Sequence, residues 1–428
     1  MAAALRPLRL PGFPNLGLAY LVNELGNWLG EIALALLVYE QTGSTLATAA
    51  LFLGMQFAPA LLSPPLAARL ESVPARRALP ALYAAEAAAF AGLALLAGDF
   101  VLVAVLALAT FDGAIASAAR ALTRASAAAA LAPAGQLREG NALLNIAFTV
   151  GAAAGPALGG VIVATASAQT ALFADAVSFL CVAALLAAAR RLPNPDYEPA
   201  ERGWAQRLRL GLAYVRERVA LRRLLGAQAL AFVFFATVIP IEVAFAKDTL
   251  DAGDLGYGVL LASWGAGMIA GSLLFTILRS VPLAGLLAVS TVAIGCAYLG
   301  TAVAPSLAVA CAASAVGGTG NGIQWVALVT AVQELTRATY QTRVLALLEA
   351  LASAMPGIGF LLGGAVAALL DPRASYAVAG AGVVLVLIGG AIALRRVEWR
   401  AELLQGPAED ATSVASSRDP SNMVLTQP

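Results

Sequence analysis

The sequence has no histidine, a single lysine and three cysteines, and only 12% of its 428 residues are charged. The missing histidine removes a His-based catalytic triad, a His proton relay and any His-containing metal site. Cys181, Cys296 and Cys311 fall in apolar segments at spacings that make neither a metal cluster nor a disulfide framework, and they read as small core residues. No Gly-x-x-x-x-Gly-Lys phosphate loop occurs, so no bound nucleotide is expected to supply energy. Nothing resembles a clustered catalytic motif, and an enzyme is not expected. Charge at about half the content of a soluble globular domain says that water is not the main solvent. The net charge of +1, with arginines spread over many loops, argues against nucleic acid as a partner.

What is present is apolar: 60% of the chain, in runs of about 20 residues, enough to cross a bilayer as helix. The runs show no alternating strand pattern, so helices that satisfy their own backbone groups are expected, giving an all-α integral membrane fold. The pattern predicts twelve spans, over residues 16–40, 45–68, 78–97, 100–122, 139–165, 168–189, 222–246, 256–278, 283–303, 305–330, 342–369 and 374–395. With the N-terminus cytoplasmic, 24 of the 26 basic residues fall on the inner side and only Lys247 and Arg373 outside. One miscounted helix would destroy that asymmetry. The reading is therefore a multi-pass protein of a bacterial cytoplasmic membrane with both termini inside. The first apolar run is too long for a cleavable signal peptide.

Residues 190–221 form the longest charged break and separate a six-helix half, 1–189, from a second, 222–396. Within this linker Trp204, Leu208, Leu212, Val215 and Val219 follow helical spacing, as in an amphipathic helix lying on the inner leaflet. Residues 397–428, poor in apolar side chains, read as a disordered cytoplasmic tail. Leu70-Glu-Ser-Val-Pro74 recurs as Leu278-Arg-Ser-Val-Pro282, and the same offset of 208 carries Gly151 and Gly155 onto Gly359 and Gly363. Agreement on one offset points to two repeated halves.

The informative polar residues are carboxylates at membrane depth: Glu24, Glu31, Glu86, Asp112, Asp175, Glu242 and Glu349. Each costs roughly 3 kcal/mol at a helix centre, so they must face cavities, partners or helix ends. Glu24, Asn27 and Glu31 share one face of the first span, with Asn23 beside them. A buried carboxylate without a permanent cation can hold a proton and release it when water or a cation arrives, which is what proton coupling needs. The plainer reading is a hydrogen bond to a neighbouring helix. Gly151, Gly155 and Gly159 around Pro156 leave one face of the fifth span smooth, as close helix packing also requires. Arg120, Arg124 and Arg343 stand at inner helix ends, either as positive-inside residues or as parts of a gate between the halves.

Several segments carry a family resemblance: Leu25-Gly-Asn-Trp28 with Tyr39-Glu-Gln-Thr-Gly-Ser44, Ala118-Ala-Arg-Ala121 leading to Asn141, Gly155-Pro-Ala-Leu-Gly-Gly160, Tyr257-Gly-Val-Leu-Leu261 with Gly265-Ala-Gly267, Gly320-Asn321, Gln333 and Arg343-Val344. The chain resembles the major facilitator superfamily, and within it the bacterial macrolide-efflux and enterobactin-exporter branch, over about residues 13–396. The family's loop after helix 2 keeps its basic end at Arg76 and Arg77, but its acid is lost or displaced to Glu71, and Asn27 stands where relatives often carry Asp. The resemblance implies that helices 1, 4, 7 and 10 line a central cavity. Glu24, Glu31 and Asp112 then become proton-coupling candidates, and Asn23, Asn27, Glu242, Asn321, Gln324 and Trp325 substrate-cavity candidates. Glu86 and Asp175 become structural, while Arg76, Arg77, Arg120, Arg343 and the helix 5 glycine–proline stripe take gating roles. The expected function is export of a hydrophobic or amphipathic compound, drug-like or siderophore-like, by alternating access. A proton gradient drives it without a cofactor, and the protein works as a monomer in the bilayer. Import, uniport, lipid flipping or a transport-inactive scaffold are the alternatives on the same fold.

Overall fold

A computed structural model of the full chain describes residues 5–59, 62, 66, 73–189, 192–195, 204–278 and 281–394. It is helical throughout, with no strand among the described residues. The first half contains α1 (Phe13–Thr42), α2 (Thr45–Phe52, continued by the wide turn Leu53–Phe57), α3 (Ala75–Leu96), α4 (Leu102–Leu131), α5 (Leu137–Thr165) and α6 (Ala168–Ala188). The second contains α7 (Val219–Ala236, continued through a turn at Ile239–Ile241 to Thr249), α8 (Gly253–Ile277), α9 (Leu283–Ala302), α10 (Leu307–Glu334), α11 (Ala338–Leu369) and α12 (Pro372–Leu394).

Ten of these are long and apolar enough to cross a membrane. The other two are α2, whose described part is the apolar Thr45–Phe57, and α10, whose 28 residues reach about 40 Å but are diluted by Gly317, Gly318, Gly320, Asn321, Gly322 and Gln324. Twelve crossings return the chain to the side on which it began. Local chemistry sets the joints. Gly43 ends α1 at φ 60°, its N–H bonded to the Tyr39 carbonyl, and the Ser44 side chain then caps α2. The expected seventh span, 222–246, breaks near Pro240, which lacks the N–H a continuous helix needs.

The halves are built alike. Gly151 and Gly155 of α5 lie against Glu24, Leu25 and Trp28 of α1, while Gly359 and Gly363 of α11 lie against Val233 and Thr237 of α7. The residues matched by the 208-residue offset therefore do the same packing job in each half. Apolar side chains such as Leu95, Val103, Ile277 and Leu369 cover the outside. One sequence expectation needs correction. Cys181 and Cys296 lie on this exposed surface, not in the core, because each sits on the outward face of a helix whose inner face is already filled. The linker helix, Trp204–Glu217, leaves Leu212 exposed and docks through Tyr214 and Val215, with Gly211 against the Arg343 backbone of α11. Tyr214 stacks on Tyr340 at 4.3 Å and its hydroxyl accepts the Arg337 N–H at 3.0 Å. Arg69, Glu71 and the 397–428 tail lie outside the described residues.

Candidate functional site

The halves meet most closely at the end that carries Gly43. Gly160 of α5 faces Gly258 of α8, and a Cβ on Gly160 would stand 2.9 Å from the Gly258 Cα, so only bare backbone allows the approach. Two turns deeper Gly265 lies against Ala152 and Ala153. On the other flank the Thr45 hydroxyl donates to the Gly364 carbonyl at 3.0 Å. Between them Lys247 Nζ reaches Glu40 of the first half at 2.5 Å and Asp254 of its own half at 2.6 Å, and the Tyr39 hydroxyl donates to Asp248. Lys247 and Asp248 ride on a wide turn, Phe245–Thr249, that closes one residue later than a regular helical bond.

Below this seal is a cavity of about 360 Å³ at mid-depth, extending toward the arginine-bearing end. Its polar groups are few: Glu31 from α1, Gln56 from α2, Gln228 and Glu242 from α7, and Asn321 and Gln324 from α10. Gln56 stands on the other wide turn, Leu53–Phe57, and donates to Glu31 at 3.5 Å. Tyr376 donates to Glu242 at 3.5 Å, and Gln324 to Thr291 at 2.9 Å. Much of the wall is aromatic. Trp264 and Tyr298 lie nearly parallel, 10° apart at 5.6 Å, with Phe235 against both, and Phe232 faces Trp325 at 6.5 Å. Gly317 of α10 seats the Trp264 indole, whose far edge is 3.0 Å from where a Cβ would be. Pro156 and Pro356, inside α5 and α11, also face this space.

The structure divides the residues singled out from sequence. Glu31, Glu242, Asn321, Gln324 and Trp325 come together around the cavity, whereas no α4 residue lines it among the described residues. Glu24, Asn23, Asn27 and Asp112 turn instead into the first half. Glu24 is buried and forms an ion pair with Arg120 at 3.3 Å. Asn23 donates to Glu86 at 3.3 Å and accepts from Asn27 at 3.1 Å. Asp112 and Asp175 are buried near Glu86; Ser178 donates to Asp175 at 3.0 Å, and Gly26 and Gly30 leave room for the Asp175 carboxylate. Glu86, Asp112 and Asp175 each keep a buried oxygen with no hydrogen-bond donor.

Among the arginines, Arg76 and Arg77 are exposed in the first turn of α3. Arg124 donates to the Tyr20 hydroxyl at 3.0 Å inside its own half, and Arg343 lies over Tyr340 at 5.2 Å. None of the ion pairs among the described residues joins the halves at the arginine-bearing end. The stripe Gly151, Gly155 and Gly159 packs on α1, with Gly160 facing α8.

Sequence reasoning passed over Gln56, Gln228, the Phe232–Phe235–Trp264–Tyr298 wall and the Lys247 cluster. A signal was present: Gln228, Phe232, Phe235, Ile239 and Glu242 recur at steps of four and three, so a polar-aromatic stripe runs down one face of α7.

The sequence profile of the transmembrane secretion effector family matches residues 2–422. No curated protein sequence matches the chain. Solved structures with the same architecture include the nucleoside transporter NupG, at 12% identity and TM-score 0.73 over 90% of this chain and 99% of that one. A bacterial homolog of the human lysosomal transporter Spinster, inward-facing and unoccupied, aligns at 15% identity and TM-score 0.69 over 93% and 99%. A POT family transporter in complex with a thioalcohol-conjugated peptide aligns at 12% identity and TM-score 0.70 over 89% and 95%. Identities this low speak for the fold alone. With the family profile spanning nearly the whole sequence, the chain belongs to the transmembrane secretion effector family of the major facilitator superfamily.

Proposed function

We propose that this protein is a proton-driven secondary exporter of hydrophobic or amphipathic small molecules, in which the two halves rock about the mid-depth cavity. The observation that carries the reading is that Glu31 of the first half and Glu242 of the second face one aromatic-walled cavity. Ionisable groups at membrane depth are costly and mark substrate or proton paths. A carboxylate facing a space that is wet in one orientation and closed in the other can exchange a proton for a departing substrate without any cofactor. The seal at the Gly43 end, with the cavity extending the other way, is one of the two states that alternating access requires. The arginine asymmetry supports an orientation in a bacterial inner membrane with both termini in the cytoplasm. The segments that resemble the macrolide-efflux and enterobactin-exporter branch favour export over uptake. One chain contains a complete cavity, in keeping with a working monomer.

The test is uptake of fluorescent amphipathic dyes into inside-out vesicles under an imposed pH gradient. Gradient-dependent accumulation that disappears in Glu31→Gln is the expected result. No accumulation of any dye by folded, correctly oriented protein would remove the case for a broad exporter.

A further inference from the structure

The cavity's chemistry is one-sided. Its lining holds two carboxylates, four amides and an aromatic wall, and among the described residues no arginine or lysine. The cation that acts on Glu31 from outside the lining is Arg120, and it is engaged by Glu24 at 3.3 Å. Each cavity carboxylate has one neutral donor at the long distance of 3.5 Å, Gln56 for Glu31 and Tyr376 for Glu242. A carboxylate drawn out of bulk water is under-compensated by one long hydrogen bond, and a positive group completes it best. Glu31 and Glu242 also act on each other electrostatically across the halves, so a cation between them would turn a repulsion into a bridge.

The aromatic residues add to the same preference. Glu242 is close enough to act on Tyr298, which lies face to face with Trp264. Ring faces carry negative potential and attract cations, most strongly at tryptophan. Phe235, Trp264 and Tyr298 all come from the second half, so a ligand's rings would rest there while its charge reaches across to Glu31. An anion would find no positive group and two negative ones.

We propose that the cavity selects an aromatic organic cation, its positive group seated between Glu31 and Glu242 and its rings against the Phe235–Trp264–Tyr298 wall. This names the substrate class for the transport reading above and rests on that reading for its purpose, although binding is measurable without flux.

The experiment is direct binding to the purified full-length protein in detergent, by titration calorimetry, of three probes of similar bulk measured separately. These are tetraphenylphosphonium, neutral triphenylphosphine oxide and anionic tetraphenylborate. The expected order is cation over neutral by at least about ten-fold, with the anion weakest. Glu31→Gln with Glu242→Gln should abolish the advantage of the cation while leaving triphenylphosphine oxide unchanged, and Trp264→Leu should weaken the cation several-fold. Equal or tighter binding of the neutral or anionic probe to the unaltered protein overturns the proposal, and that arm depends on no variant folding. Cation binding without flux in vesicles would support the ligand class and overturn the transport reading. Gradient-driven flux of neutral dyes with no cation preference would do the reverse.

Discussion

Lys247→Met should loosen the closed end by an amount the structure sets. Lys247 Nζ is 2.5 Å from Glu40 across the halves and 2.6 Å from Asp254 within its own. The three side chains are 21%, 38% and 21% exposed, so solvent screens both pairs and each contributes at most about 1 kcal/mol. Removing the ammonium deletes the tie to Glu40 and leaves Glu40 and Asp254 facing each other without a cation, which raises the cost of closure to about 1–2 kcal/mol. That is about a 5- to 30-fold shift between closed and open forms at this end. The Tyr39–Asp248 bond and the Gly160–Gly258 approach remain and limit the change. Spin labels at the exposed positions Gln41 and Asp251, in a cysteine-free background, would report the distance between the halves by double electron–electron resonance. The long-distance population should rise in Lys247→Met and return toward the original in the swap Glu40→Lys with Lys247→Glu. Asp254→Asn, which cuts only the tie within one half, should shift it less, and high salt should mimic part of the effect. An unchanged distribution in Lys247→Met at low salt would refute the reasoning.

Other substitutions probe the remaining contacts. Gly160→Leu places a side chain where only the Gly258 backbone fits, so the same labels should show the seal held apart and vesicle uptake should fall to background. Gly317→Val crowds the Trp264 indole; the overpacking cost of about 1–3 kcal/mol should lower the melting temperature by several degrees and shift tryptophan emission. Glu24→Gln leaves Arg120 facing a neutral amide, and a loss of about 1–3 kcal/mol should appear as earlier thermal aggregation by size-exclusion chromatography. Glu86→Gln keeps an acceptor for Asn23 and removes one charge from the Asp112–Asp175 neighbourhood, so stability should hold or rise and dye uptake should persist.

The spans were legible because a membrane demands about 20 apolar residues per crossing and the sequence supplies them with Gly43, Pro74 and Pro282 as punctuation. The repeat was legible because backbone contact tolerates only glycine, so Gly151 and Gly155 had to reappear as Gly359 and Gly363. Side-chain destinations were not. Glu24 and Glu31 are seven residues apart and share a helical face, yet Arg120 receives one and the cavity the other. Spacing fixes an angle around α1; what stands opposite depends on depth. At the level of Glu24 the space is filled by α4 and by α5 at Gly151, while at Glu31 it opens. Asp112 was drawn to the cavity by the family's architecture and turns inside its own half, beside Glu86 and Asp175.

Aromatic residues were harder still, since in an apolar chain a phenylalanine can face lipid, core or cavity at similar cost. What distinguishes Phe232 and Phe235 is company: they share a stripe with Gln228 and Glu242, and a polar residue at membrane depth cannot face lipid cheaply. The same logic applies to Lys247. It is one of two basic residues on the arginine-poor side, and a cation there gains nothing from the rule that orients the chain. A residue that serves neither insertion nor orientation must be held by its partners, and those partners, Glu40 and Asp254, lie on opposite sides of the boundary between the halves. The exception to the topological rule thus marks the place where the two halves are tied.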